Sequence, residues 1–184
     1  MATTPVSVFT AAGKAALERL RANRALKPIP VPKVDGNNFL CCGVDAAEGR
    51  KITYRFFFNA EKRHLSGVCH FGRQTEGPTD HVHGGASAAV LDTSMGITSW
   101  WSGLKCVTAN LSMNYRAMLP LNTSVGVEAW IESEEDRKVT VQALIRDLNT
   151  ERVFCDSSAI FVKLTDAQKE KLKNKNQPGV MAKI

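Results

Sequence analysis

The second half of the chain alternates between apolar and polar positions. In "CVTANLSMNYRAML", Val107, Ala109, Leu111, Met113 and Tyr115 fall on one face, and Thr108, Asn110, Ser112 and Asn114 on the other. Three further runs, "TSVGVEAWIES", "KVTVQALIRDL" and "RVFCDSSAIFVKL", alternate for much of their length and are joined by the short links "PLN", "EED" and "NTE". Period-two runs with short links predict an antiparallel meander with one face buried. Earlier in the chain, "FLCCGV" and "ITYRFFF" read as a hairpin around "DAAEGRK", with "LSGVCHFG" as a third short strand.

Between these two sets of strands the periodicity changes. From about Gly84 to Trp101 the pattern is helical, and Ser102-Gly103 supplies a stop. Ala86, Ala88, Ala89, Val90, Leu91, Met95, Ile97, Trp100 and Trp101 go nearly all round this helix. A helix that is apolar on every side is buried. The predicted architecture is therefore α+β, with an antiparallel sheet wrapped around one long central helix. Trp100 and Trp101 would line a tunnel or pack in the core.

The first residues add a second helix. Phe9, Ala12, Ala16 and Leu20 recur at helical spacing, and "KPIPVPKVDG" then forbids helix because its prolines enforce extended backbone. The absence of acidic residues before Glu18 also resembles, weakly, a mitochondrial transit peptide. The organisation expected is an N-terminal helix and linker over 1–33, a central domain over 34–165 and a polar tail, helical at first, over 166–184.

Composition narrows the class. The chain has 184 residues, 43% hydrophobic and 23% charged. It has no apolar run near the ~20 residues that a membrane-spanning helix requires, so no membrane span is expected. The five cysteines form no Cys-x-x-Cys pair; free buried thiols in a reducing compartment, cytoplasmic or mitochondrial, are expected. The net charge is +6, but its basic residues are scattered and not interleaved with aromatics, which argues against nucleic acid. A mildly basic surface suits an anionic, phosphate-bearing substrate.

The candidate chemistry sits on the central helix. Gly84 and Gly85 lie at its start, where the first amides have no internal partner and carry the positive end of the dipole, so they can receive an oxyanion. The glycines equally permit a tight turn. Asp92 lies about 12 Å along the helix at ~1.5 Å per residue, beside the small residues Ala88, Ala89 and Gly96. That position suits a working carboxylate facing a cleft or a structural aspartate satisfied by hydrogen bonds; the residues do not choose. His81, His83 and Asp80 have no further ligands at a metal-site spacing. No metal is expected, and His83 is read as capping the helix or ordering the loop.

Three segments together, "HVHGGASAAVLDTSMG", "VTANLSMNYRAMLPL" and the final strands, resemble the hotdog-fold acyl-CoA thioesterases of the phenylacetate-pathway type, near their animal mitochondrial branch. The resemblance covers about residues 65–165. It implies the hotdog fold, with homodimers or dimers of dimers joined at sheet edges and active sites between subunits. It implies hydrolysis of an acyl-CoA to free acid and coenzyme A without a cofactor, coenzyme A being part of the substrate. Asp92 takes the place of the catalytic acid, as general base or nucleophile. The amide of Gly84, helped by Gly85, takes that of the oxyanion donor, and Thr108 that of a strand threonine reaching the partner's site. His83 becomes the loop-shaping histidine of the motif. Asn114 and Arg116 fall in the substrate-binding segment, with Arg116 a candidate for coenzyme A phosphate. Two other readings of the same fold are a non-catalytic acyl-CoA binder or interaction scaffold, and a dehydratase or hydratase using His83 with Asp92.

Overall fold

The computed structural model describes residues 8–30 and 51–175. A seven-stranded antiparallel sheet runs in the order β1-β2-β3-β5-β6-β7-β4, with β1 at Lys27–Pro28, β2 at Ile52–Asn59, β3 at His64–Phe71, β4 at Cys106–Tyr115, β5 at Thr123–Glu135, β6 at Lys138–Asp147 and β7 at Val153–Lys163. Helix α1 spans Ala11–Ala22, α2 spans Gly84–Trp101 and α3 spans Asp166–Lys175. The wrapped sheet and the long central helix follow the expected plan. β2 pairs with β3 and with the short β1; of the hairpin expected around "DAAEGRK", the strand "FLCCGV" lies outside the described residues.

Alternation builds the core. Inward positions Val125, Val127 and Ala129 on β5, and Val139, Val141, Ala143 and Ile145 on β6, are buried against Val90, Leu91 and Met95 of α2. The helix also buries Ser94, Thr98 and Ser99. Each hydroxyl is satisfied within the helix: Ser94 donates to the Leu91 carbonyl at 2.9 Å, Thr98 to Ser94 at 2.8 Å and Ser99 to Met95 at 3.0 Å. That local pairing removes the cost of an unpartnered buried hydroxyl. Trp100 donates its indole N–H to the Cys106 carbonyl at 3.0 Å, and Trp101, 39% exposed, lies edge-on to Phe58.

Helix α1 closes the other face of the sheet. Phe9, Ala16 and Leu17 pack on Phe57 and Val68 in a separate small core. Its entrance is tied down by Ser124, which receives the Thr10 amide at 2.9 Å and meets His70 Nδ1 at 3.2 Å. Burial pushes the His70 imidazole toward its neutral form. The three cysteines among the described residues, Cys69, Cys106 and Cys155, are free and buried. Burial raises the Cys106 thiol and pushes that of Cys155 up to about 12.

Strand β4 departs from the alternation. Its register on β7 slips between Thr108 and Asn110, one residue being bulged. Thr108 opposes Phe161, and beyond the bulge Leu111, Met113 and Tyr115 oppose Ala159, Ser157 and Cys155, all on the helix-facing side of β7. The bulge therefore moves Thr108 off the outer face predicted for it and places it with Leu111, Met113 and Tyr115. β4 is also a sheet edge, and Val107 and Tyr115 are exposed on it.

If α1 belongs to the folded unit, Leu17→Ala should destabilise the protein by about 2–5 kcal/mol, the usual cost of such a truncation in a core. Urea denaturation of the two proteins measures this.

Candidate active site

The site is built where three segments meet: the start of α2, the bulged part of β4, and the loop 72–83 before the helix. That loop is strapped to its surroundings. A 3-10 turn at Arg73–Thr75 is closed by the Thr75 hydroxyl on the Gly72 carbonyl at 2.7 Å. The Thr75 carbonyl receives the His83 amide at 2.7 Å, and the Gly77 amide reaches the His81 carbonyl at 2.9 Å. Gly77 is needed there, since a Cβ would lie 2.7 Å from the Cα of His83, closer than such contacts come. The Val82 amide donates to the Leu119 carbonyl at 2.8 Å, fixing the loop to the segment after β4.

His83 caps the helix, as the sequence suggested. Its Nδ1 accepts the Gly85 amide at 2.9 Å. The proton of a neutral imidazole then sits on Nε2. The amides of Ala86 and Ser87 both turn back to the His83 carbonyl, at 2.9 and 3.3 Å. Of the first helical amides, Gly85, Ala86 and Ser87 are thus used internally. Only that of Gly84 has no acceptor among the described residues. This corrects the expectation that Gly85 shares the oxyanion role: its N–H is already spent on the cap.

Asp92 faces β4 on the same helix. The Thr108 hydroxyl donates to its Oδ1 at 2.8 Å. Thr108 meets the aspartate of its own chain because the bulge turns it toward α2. The other carboxylate oxygen, Oδ2, has no partner among the described residues, and the side chain is half-buried. A carboxylate held at one oxygen and open at the other can take a proton from a bound water.

Asn114 and Arg116 are not brought to this place. Both bind Asp156 on β7, Asn114 through its amide nitrogen at 2.9 Å and Arg116 through an ion pair. Asp156 lies between the inward-facing Cys155 and Ser157, so its side chain points to the outer face, away from Asp92. The Arg116 guanidinium beside it holds the Asp156 carboxyl below the usual carboxylate range. Arg116, the candidate for coenzyme A phosphate, stands here as the cation of an exposed pair with Asp156.

Tyr115, which the resemblance placed between Asn114 and Arg116 without a role of its own, is a further member of the site. Its hydroxyl donates to the Gly84 carbonyl at 3.0 Å. Burial is the main cause that raises its phenol, which stays protonated and able to donate. The pattern placed it on an apolar face and offered no sign that its hydroxyl had a partner. Among the described residues no group of three or more His, Cys, Asp and Glu is placed to hold a metal.

Comparison with known proteins defines the class. The model of the thioesterase superfamily matches residues 79–154, the stretch that contains the helix start, Asp92 and Thr108. The solved structure of protein RHA08564, a thioesterase superfamily protein, shares 28% identity with a TM-score of 0.57 over 60% of this chain and 54% of that one. The fold is the hotdog fold of this thioesterase-superfamily neighbour, as the resemblance implied, and residues 79–154 are similar to that superfamily. Among curated relatives, the acyl-coenzyme A thioesterase THEM4 of Xenopus laevis is 31% identical over 119 residues, 64% of this chain and 53% of its own. THEM4 of Mus musculus is 29% identical over 117 residues, 64% and 50%. The chain spans about half the length of the curated relatives it matches.

Two outcomes follow from this geometry. His83→Ala removes the cap of α2 and should cost about 0.5–2 kcal/mol, as loss of a capping acceptor does; chemical denaturation checks this. The Asp156 carboxyl is depressed in the folded state, so the unfolded chain takes up its proton at higher pH than the folded chain does. The Arg116–Asp156 pair therefore contributes fully above the ordinary carboxylate range, near pH ~4, and its contribution is lost as pH falls through the depressed value. Arg116→Ala should flatten the fall of melting temperature between about pH 5 and pH 2, and thermal melts across that range measure it.

Proposed function

We propose that the protein is an acyl-CoA thioesterase, hydrolysing an acyl-CoA to the free acid and coenzyme A. The observation that carries this reading is the pairing of Asp92 with Thr108 on the helix whose single unspent amide is Gly84. The relatives named as acyl-coenzyme A thioesterases support the substrate class. The net charge of +6 suits the phosphates of coenzyme A.

The thioester carbonyl oxygen accepts the Gly84 N–H. As water attacks, the oxygen becomes an oxyanion, and a preorganised donor there is worth ~10²–10³ in rate. Asp92, steadied by Thr108 at Oδ1, takes the proton of the attacking water on Oδ2. The thiol of coenzyme A leaves as a thiolate; with an ordinary thiol pKa near ~8.5 it needs no strong acid to assist it.

Geometry then asks for two copies. Gly84 and Asp92 sit on one rigid helix about 12 Å apart at ~1.5 Å per residue, too far for one reacting carbon to meet both. A second copy pairing along the exposed edge of β4 brings the Gly84 of one subunit toward the Asp92 of the other. The proposed active form is a homodimer, or a dimer of dimers, with sites between subunits.

Thiol release from short, medium, long and aromatic acyl-CoAs tests the proposal. Wild type should turn over at least one class, and Asp92→Asn should lose about 10²–10⁴-fold in kcat, the contribution of a positioned general base, with fold and assembly intact. Unchanged turnover in the variant sinks the role of Asp92. Binding without turnover in wild type makes the protein an acyl-CoA binder.

A further inference from the structure

The amide that would hold the oxyanion belongs to a glycine followed by another glycine. Glycine has no Cβ to restrict its backbone, so the place of the Gly84 N–H depends on what holds its own peptide plane and on what anchors the first turn of α2 to its surroundings. The plane before it is fixed by the His83 carbonyl, which receives the Ala86 and Ser87 amides. The plane after it is gripped at both ends. Its N–H, that of Gly85, donates to His83 Nδ1 at 2.9 Å. Its carbonyl, that of Gly84, receives the Tyr115 hydroxyl at 3.0 Å.

We propose that Tyr115 is a positioning residue for catalysis: through its hydrogen bond to the Gly84 carbonyl it ties the first turn of α2 to β4 and so holds the free Gly84 N–H in place for the substrate oxygen. This rests on the thioesterase reading above and extends it.

Two further observations favour the role. The phenol, the peptide and the imidazole form a continuous chain, O–H to C=O and N–H to Nδ1, and linked hydrogen bonds of this kind strengthen one another. The tyrosine ring also explains the glycine beneath it. A Cβ on Gly84 would stand 3.2 Å from two ring carbons and 3.3 Å from the hydroxyl, so any other residue would press the ring back by a few tenths of an ångström. Tyr115 itself is 57% exposed and adds little to the core, which separates a role in placing the amide from one in holding the fold.

The test is Tyr115→Phe, which keeps the ring and removes the donor, assayed with the acyl-CoA best used by the wild-type protein. One hydrogen bond of ordinary strength predicts a fall in kcat of about fivefold to tenfold, with KM and melting temperature unchanged. In ¹H–¹⁵N spectra the Gly84 and Gly85 amide signals should shift or broaden, while those of the sheet stay in place. An unchanged kcat overturns the proposal, as do glycine signals that superimpose on wild type. A loss confined to KM, or one that tracks a drop in melting temperature, also overturns it. If Tyr115→Phe is fully active while Asp92→Asn is dead, only the role of Tyr115 fails. If the wild-type protein hydrolyses no acyl-CoA, the thioesterase reading itself fails, and the kinetic role of Tyr115 with it.

Discussion

A helix that must be buried on most of its surface, yet keep one carboxylate and one amide accessible, sets the terms for the rest of this structure. Burying α2 requires a sheet curved enough to wrap it, and the apolar stripes of β5 and β6 supply the inner wall. It also requires the helix to carry no unpaired polar groups inward. Ser94, Thr98 and Ser99 meet that demand by bonding to carbonyls of their own helix. The groups left over are those not enclosed by β5 and β6: the first amides, with His83 beside them, and Asp92 facing β4. The chemistry is confined to one end and one flank of the helix because the rest of it is used for packing.

The general plan was legible because it is written in periods. Alternation marked β4 to β7, and a run of residues apolar on all sides marked α2 to within its true bounds. The details that decide the site were not periodic. One bulged residue in β4 reverses which side chains face the helix, and nothing in "VTANLSMNY" announces where alternation should skip. Strict alternation put Thr108 with Asn110 and Ser112 on a polar outer face. In the fold it stands with Leu111, Met113 and Tyr115. The same limit hid the cation partner of Asp156: Asn114 and Arg116 were visible as polar residues, but the strand that would lie opposite them was not.

The helix entrance shows the opposite balance. His83-Gly84-Gly85 could be read at once as a helix start, since the unpaired amides of a first turn are a general property. Which amide stays unpaired is a matter of accounting. His83 takes one N–H through its ring and two through its carbonyl, and only when those are subtracted does a single donor remain. Gly77 belongs to the same account, because it allows the loop to pass within van der Waals contact of the capping histidine.

The strand order separates the part of the chain that is recognised from the part that folds. The stretch shared with the superfamily, residues 79–154, contains β5 but neither β2 nor β3. In the sheet, β5 lies between β3 and β6, with His64 opposite Trp130 and Phe71 opposite Thr123. A polypeptide cut to the shared stretch would leave β5 with an open flank and would end as β7 begins. Assembly of the sheet must therefore wait for contacts distant along the chain, the kind whose loop-closure entropy slows folding. Until β3 docks, the backbone edge of β5 is open to neighbouring molecules, so the sheet is more vulnerable to aggregation during synthesis than once folded.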